Sequence, residues 1–279
     1  MFKNLVIRAI SGAVFVALVV SSILVDAPIY FGVLFLLIAL LGLHEFYALG
    51  GKMSQVSISL VSPMVAAVSF LVAVYLTSLK NGSIDYYLFY ALAVVAIFAI
   101  FVLELFRKKE NPIKNIAVSL MGLVYVVLPI CAMFMLKSIH PICLLAFFVI
   151  IWASDTGAYL SGMCFGRHKM FERVSPKKTW EGFFGGFLSA LLMAYLFGHY
   201  STENAFPVWW WFIFATIVFV SGTLGDLTES LFKRTLNVKD SGSIMPGHGG
   251  ILDRVDSALL AAPLATVFTL CYVCYFVEW

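Results

Sequence analysis

The chain has 279 residues, 62% of them apolar and only 12% charged, with a mean hydropathy of +0.99. Water-soluble domains run about 45–50% apolar and about 25% charged, so this composition excludes an ordinary soluble fold. A net charge of +3, without a basic stripe interleaved with aromatics, excludes a nucleic-acid partner.

A membrane span needs about 20 largely apolar residues. The N-terminus begins with charge and an apolar run, as a signal peptide does, but it lacks an A-x-A-like cleavage site and reads as a first helix near 6–25. Further spans follow near 29–49, 56–79, 86–106, 116–136, 141–163, 180–200, 208–230 and 257–277. The expected fold is an all-α polytopic membrane bundle of about nine transmembrane helices. Pro129, Pro141 and Gly157 leave the fifth and sixth boundaries soft.

Nine spans put the termini on opposite sides. With the N-terminus cytoplasmic, all of the 18 Lys and Arg except Lys80 and Lys137 fall inside, as the positive-inside rule requires. The polar segments 164–179 and 226–256 then both face the cytoplasm. The five cysteines are odd in number and lie in or beside apolar stretches, against a disulfide framework. The C-x-x-C of Cys271 and Cys274 lacks the second ligand pair that a zinc site needs.

His44 and Glu45 sit near the inner end of the second span, where interface and functional readings are balanced. Glu104, at the inner end of the fourth, reads as an interface-exposed acid. In the sixth, Asp155 places an acid in an apolar stretch, as a cavity wall or a supporting partner of a polar site. The stretch Ser175-Pro-Lys177-Lys178-Thr-Trp180-Glu-Gly182 pairs lysines with an interfacial tryptophan. Such a pair suits a lipid phosphate at headgroup depth, and equally a basic loop resting on anionic lipid.

Segment 226–256 is richest in functional groups. Asp226, Glu229 and Lys233 share one face of a continuous helix, and Asp253 and Asp256 share a face if the last helix begins near Leu252. Carboxylates from both could meet on a hard cation such as Mg²⁺. Between them, Gly247, Gly249 and Gly250 flank His248 in a turn able to aim amide N–H groups at phosphate oxygens. Lys233, Arg234, Lys239 and Arg254 supply positive charge. Metal, turn and cations together suggest a polyphosphate. Taken singly, Lys233 and Arg234 fit topology markers, and the D-x-x-D fits a helix N-terminus.

The run Ser230-Leu-Phe-Lys-Arg, four residues, Lys239-Asp240, then Pro246-Gly-His-Gly-Gly-Ile-Leu-Asp-Arg-Val-Asp256 resembles the signature of phosphatidate cytidylyltransferases (CDP-diacylglycerol synthases). The S-P-K-K-T-W-E-G and W-x-S-D-T-G-A-Y segments resemble that family in the same order. The likeness covers the C-terminal half firmly, and the N-terminal half only in length and hydropathy. It implies transfer of CMP from CTP to phosphatidic acid in the inner cell membrane, by a multi-pass homodimer using Mg²⁺ and sometimes K⁺. It implies metal ligation by Asp226, Asp253 and Asp256, with phosphate contacts from Lys177 and Lys178. The motif positions also place Ser175, Lys239, Asp240 and His248 among the substrate-binding candidates.

The expected organisation is a scaffold of helices over 1–115, with dimer contacts, and a catalytic region over 116–279. Two rival readings use the same groups: a CTP-dependent polyprenol kinase and an ion-coupled transporter. The second would favour inverted halves with broken helices, and no such symmetry is visible.

Overall fold

In the computed structural model, residues 2–25, 27–79, 85–201, 206–244 and 249–276 are described. They form nine helices, one of them a single span built of two α-helical segments joined by a π turn, and one small sheet, the architecture of a multi-pass membrane bundle. Eight helices are long and apolar enough to cross a bilayer, and the described apolar part of the first, Ile10–Leu24, is shorter. Helices dominate because hydrocarbon offers backbone N–H and C=O groups no partner, so each span must satisfy its own.

The elements in order are α1 (Phe2–Leu24), α2 (Pro28–Gly50), α3 (Val61–Ser78), α4 (Asp85–Phe106), α5 (Pro112–Gly122), a π-helical turn (Leu123–Val127), α6 (Leu128–Ile139) and α7 (Pro141–Phe165). Then come β1 (Lys169–Phe171), β2 (Ser175–Thr179), α8 (Trp180–Tyr200), α9 (Val208–Thr235) and α10 (Leu252–Phe276). Pro28, Pro112 and Pro141 each open a helix, where a missing N–H removes no bond. The stretch α5 to α6 is one span, Pro112–Ile139. Pro129 has no N–H for the carbonyl four residues back, and the wider π turn lies where that bond is missing.

Four boundaries differ from the sequence expectation. Residues 56–60 are not helical, because the Ser57 N–H is drawn to Asn115 Oδ1 at 2.8 Å and Pro63 sits in the first turn of α3. The eighth span runs on to Thr235, with Lys233 and Glu229 paired one turn apart. The last helix starts at Leu252 rather than 257. Segment 164–179, expected as a loop, contains a β-hairpin pairing Lys169 with Thr179 and Phe171 with Ser175.

The chain divides into two compact units: Met1–Ser138 with Thr235–Val255, and Ile139–Arg234 with Asp256–Trp279. In the first, Phe31, Phe35 and Phe134 pack as a cluster, and the Tyr47 hydroxyl donates to the Ser119 carbonyl at 2.7 Å. Glu104 is buried, not interface-exposed as its position suggested. Arg107 (2.8 Å) and Asn115 Nδ2 (2.5 Å) both reach its carboxylate, which removes the penalty of an unpaired charge. In the second, Trp210 stacks between Phe206 and Phe214 with ring centroids 4.1 and 4.8 Å away.

Candidate active site

In the second unit, α7 and α8 meet along small residues. A side chain on Gly157 would strike Ser189, one on Gly185 would strike Ser161, and one on Gly186 would press on the Ser154 carbonyl. Such seams let membrane helices approach closely. The β-hairpin joins the two helices. Thr179 caps α8 by accepting the Gly182 N–H at 3.1 Å. Glu181 accepts the backbone N–H groups of Arg167 and His168 and pairs with His168 Nδ1 at 2.6 Å. Arg234 Nε donates to the Val174 carbonyl at 3.3 Å, tying the end of α9 to the hairpin.

Strand alternation separates the two lysines, since successive side chains leave opposite faces. Lys177 is exposed, while Lys178 is half-buried with Nζ 2.7 Å from Asp226 Oδ2. Asp226 Oδ1 also accepts the Ser230 hydroxyl at 3.3 Å. Asp155 and Asp256 lie near enough to act electrostatically on Asp226, and Asp155 also feels Lys178. Asp256 Oδ1 accepts the Ser257 N–H at 2.6 Å. Glu229 is fully buried and pairs with Lys233 at 3.3 Å. Among the described residues, this group sets four carboxylates against two lysines.

Close approach of α9 and α10 brings Asp226 beside Asp256. A Cβ on Gly225 would lie 2.7 Å from the Asp256 carbonyl oxygen, whereas one on Gly222 would make ordinary contact at 3.6 Å. Gly225→Ala is therefore expected to push the helices apart, at about 1–3 kcal/mol for overpacking, and to lower activity with the thermal midpoint. Gly222→Ala should stay near wild type or gain slightly from helix propensity. Thermal unfolding in detergent, read beside turnover, checks the contrast. Equal behaviour of the two variants would refute the close-approach account.

In the first unit the described residues between α9 and α10 are tied together by hydrogen bonds. Asp253 Oδ2 accepts the Ser241 N–H, the Ser241 hydroxyl and the Gly250 N–H, each at 2.9 Å. Gly249 has φ +82°, and a Cβ there would lie 2.7 Å from Asp253 Oδ2, so glycine is required on both counts. Glu45 from α2 also reaches this turn, a contact between residues more than 190 positions apart that local pattern does not reveal.

The predicted residues thus fall into two sets. Lys178, Asp226, Asp256 and Asp155 stand together in the second unit, with Lys233 close by on Glu229. Asp253 is in the first unit, with a turn-ordering duty that spacing alone did not show. Lys239, Asp240 and Arg254 are exposed there, Gly249 and Gly250 flank the Asp253 carboxylate, and Ser175 is half-buried at the start of β2. Gly247 and His248 lie outside the described residues.

Oxygen donors in negative excess suit Mg²⁺, which binds through one or two carboxylates and substrate phosphates. Among the described residues, no three acid, His or Cys side chains close into a metal-holding group. A shared donor pair such as Asp226 and Asp256 therefore fits the ion better than an all-protein cage.

A family model described as the cytidylyltransferase family matches residues 6–272. The chain belongs to the cytidylyltransferase family. Among its curated relatives is a phosphatidate cytidylyltransferase of Haemophilus influenzae, 44% identical over 128 residues, covering 45% of this chain and 44% of the relative. One of Staphylococcus epidermidis is 45% identical over 120 residues, covering 43% and 46%. One of Staphylococcus saprophyticus is 39% identical over 160 residues, covering 57% and 61%. The matched stretch thus spans about half the length of these relatives. As a cytidylyltransferase family member the chain carries its likeness well beyond the signature run, since the family match takes in the N-terminal helices too.

Proposed function

We propose that this chain transfers CMP from CTP to phosphatidic acid, giving CDP-diacylglycerol and pyrophosphate. The observation that carries the reading is Lys178 held against Asp226 beside Asp155 and Asp256, in a family member whose curated relatives bear that name. A lysine among carboxylates serves a reaction in which two anions must meet.

An oxygen of the lipid phosphate attacks the α-phosphorus of CTP, forming a P–O–P bond as the α–β bridge breaks and pyrophosphate leaves. The attacking oxygen is already ionised, so no covalent enzyme intermediate and little general-base help are needed. Positioning and charge neutralisation dominate, as in phosphoryl transfer generally. Lys178 offsets phosphate charge, with Lys177, Lys233 and Arg234 adding to the local positive field, and Arg254 is the motif's further candidate cation for phosphate. Asp226 and Asp256 would hold Mg²⁺, with Asp253 the third acid of the motif, and the ion supplies charge neutralisation to the polyphosphate; K⁺ is a second candidate cation. Gly249 and Gly250 shape the turn, while Gly247 and His248 are the motif's further candidates for nucleotide contact.

The site faces the cytoplasm of the inner cell membrane in this reading, supported by the charge bias of the connecting segments, with helices over 1–115 as scaffold and dimer contact. The test is incubation of purified protein with phosphatidic acid, Mg²⁺ and CTP labelled at either the α- or the γ-phosphorus. Label from the α position is expected in the lipid, and EDTA is expected to abolish it. Label from the γ position in lipid would instead establish a kinase, and no labelled lipid at all would defeat the reading.

A further inference from the structure

Helix α10 opens at Leu252, directly after Ile251. A helix start leaves its first backbone N–H groups without partners in the helix, and a Ser, Thr, Asp or Asn at the preceding position normally accepts one. Ile251 has no side-chain oxygen. The acceptors arrive from α2: Glu45 Oε1 takes the Ile251 N–H at 3.0 Å and Oε2 takes the Leu252 N–H at 2.9 Å.

Glu45 is only 3% exposed. A buried carboxylate in a membrane helix is costly unless donors surround it. Here every donor named comes from one segment, because Oε2 also accepts the Ser241 hydroxyl at 3.2 Å. The partial positive charge of the α10 N-terminus favours the anion further. Side chains on Gly242 or Gly250 would collide with the Glu45 carboxylate, so the turn is closed around it. Ser241 is the joint: its single hydroxyl proton is shared between Asp253 Oδ2 at 2.9 Å and Glu45 Oε2 at 3.2 Å.

We propose that Glu45 is a positioning residue for the cytidylyl transfer, fixing the turn that carries Lys239, Asp240, Gly249, Gly250 and Asp253. The proposal rests on the function proposed above. Glu45 touches no reacting atom; it holds the backbone that presents the motif. Both carboxylate oxygens are used, so an isosteric amide cannot replace it. In Glu45→Gln one terminal atom becomes an NH₂ facing a backbone N–H, and one end of the clamp turns repulsive.

The test uses the full chain in lipid nanodiscs, comparing wild type, Glu45→Gln and Glu45→Asp by steady-state kinetics and by amide hydrogen exchange. Glu45→Gln is expected to lower kcat/KM for CTP about 100-fold, the scale of a misplaced reacting group, with the KM for phosphatidic acid near its wild-type value. Amide exchange at 249–252 should accelerate about tenfold, as loss of a hydrogen bond predicts, with α7 and α8 unchanged. Glu45→Asp, one methylene shorter but still a two-oxygen anion, should regain part of both. Wild-type CTP kinetics in Glu45→Gln would overturn the role. So would an equal loss toward both substrates with faster exchange throughout the chain, which marks general destabilisation. A wild-type chain that makes no labelled lipid removes the reaction and this role with it, whereas an active wild type beside an unaffected Glu45→Gln removes the role alone.

Discussion

Asp226→Asn is expected to reduce kcat about 100- to 1,000-fold, the range for losing one preorganised electrostatic group, while the chain stays folded. Asp226 pairs with Lys178 at 2.7 Å and stands beside Asp155 and Asp256. The amide keeps the shape and can still accept the Ser230 hydroxyl, but it gives up the charge that orients Lys178 and that would hold the cation in the proposed reaction. Close packing between α9 and α10 depends on Gly225 rather than on this side chain, so the thermal midpoint should move little. Turnover at saturating CTP, phosphatidic acid and Mg²⁺, measured with the unfolding curve, decides the matter. Near wild-type turnover would remove Asp226 from the reaction.

The second large effect separates two neighbours. Lys178→Ala is expected to lower kcat/KM about 100-fold, because loss of the cation also leaves the carboxylates opposing one another at partly buried positions. Lys177→Ala should change it by only about threefold at most, the behaviour of an exposed and solvent-screened charge. Lys178→Arg should recover little, since a planar fork does not reproduce a compact ammonium 2.7 Å from one oxygen. Steady-state kinetics on the three variants at one ionic strength makes the comparison. If Lys177→Ala proves the more damaging, the exposed face of β2 meets the substrate and the present site is misplaced.

From sequence, Lys177 and Lys178 are equivalent, and only a strand direction distinguishes them. The hairpin responsible is three residues paired with five, too short for a periodic signal amid Pro and Lys. The spans were legible for a simple physical reason: hydrocarbon demands long apolar runs, and hydropathy measures that demand directly. Their ends were not, because bonds to distant residues set them. Residues 56–60 are drawn out of helix by Asn115, and 252–256 are drawn in although they carry three charges, because Glu45 supplies the missing cap.

The candidate site shows the same division. Asp226 with Lys233, and Asp253 with Asp256, could be placed on helix faces from spacing. That Asp253 Oδ2 would order a turn through three donors could not, since those donors come from a loop without regular geometry. Glu45 stood out only as an acid near the end of a span. Its contribution depends on a contact 206 residues along the chain. Glu104 carried the same local signal and turned out to serve Arg107 and Asn115 instead.

The glycine and serine seam between α7 and α8 has a mechanical consequence. Where hydroxyls and bare backbone fill the join around Gly157 and Gly185, little slack remains to absorb a shear, so the two helices are expected to move as a single strut. A bilayer whose thickness differs from their apolar length is met by tilting them together, as mismatch generally is. Asp155 and the hairpin lysines then keep their spacing while the headgroup plane shifts around them.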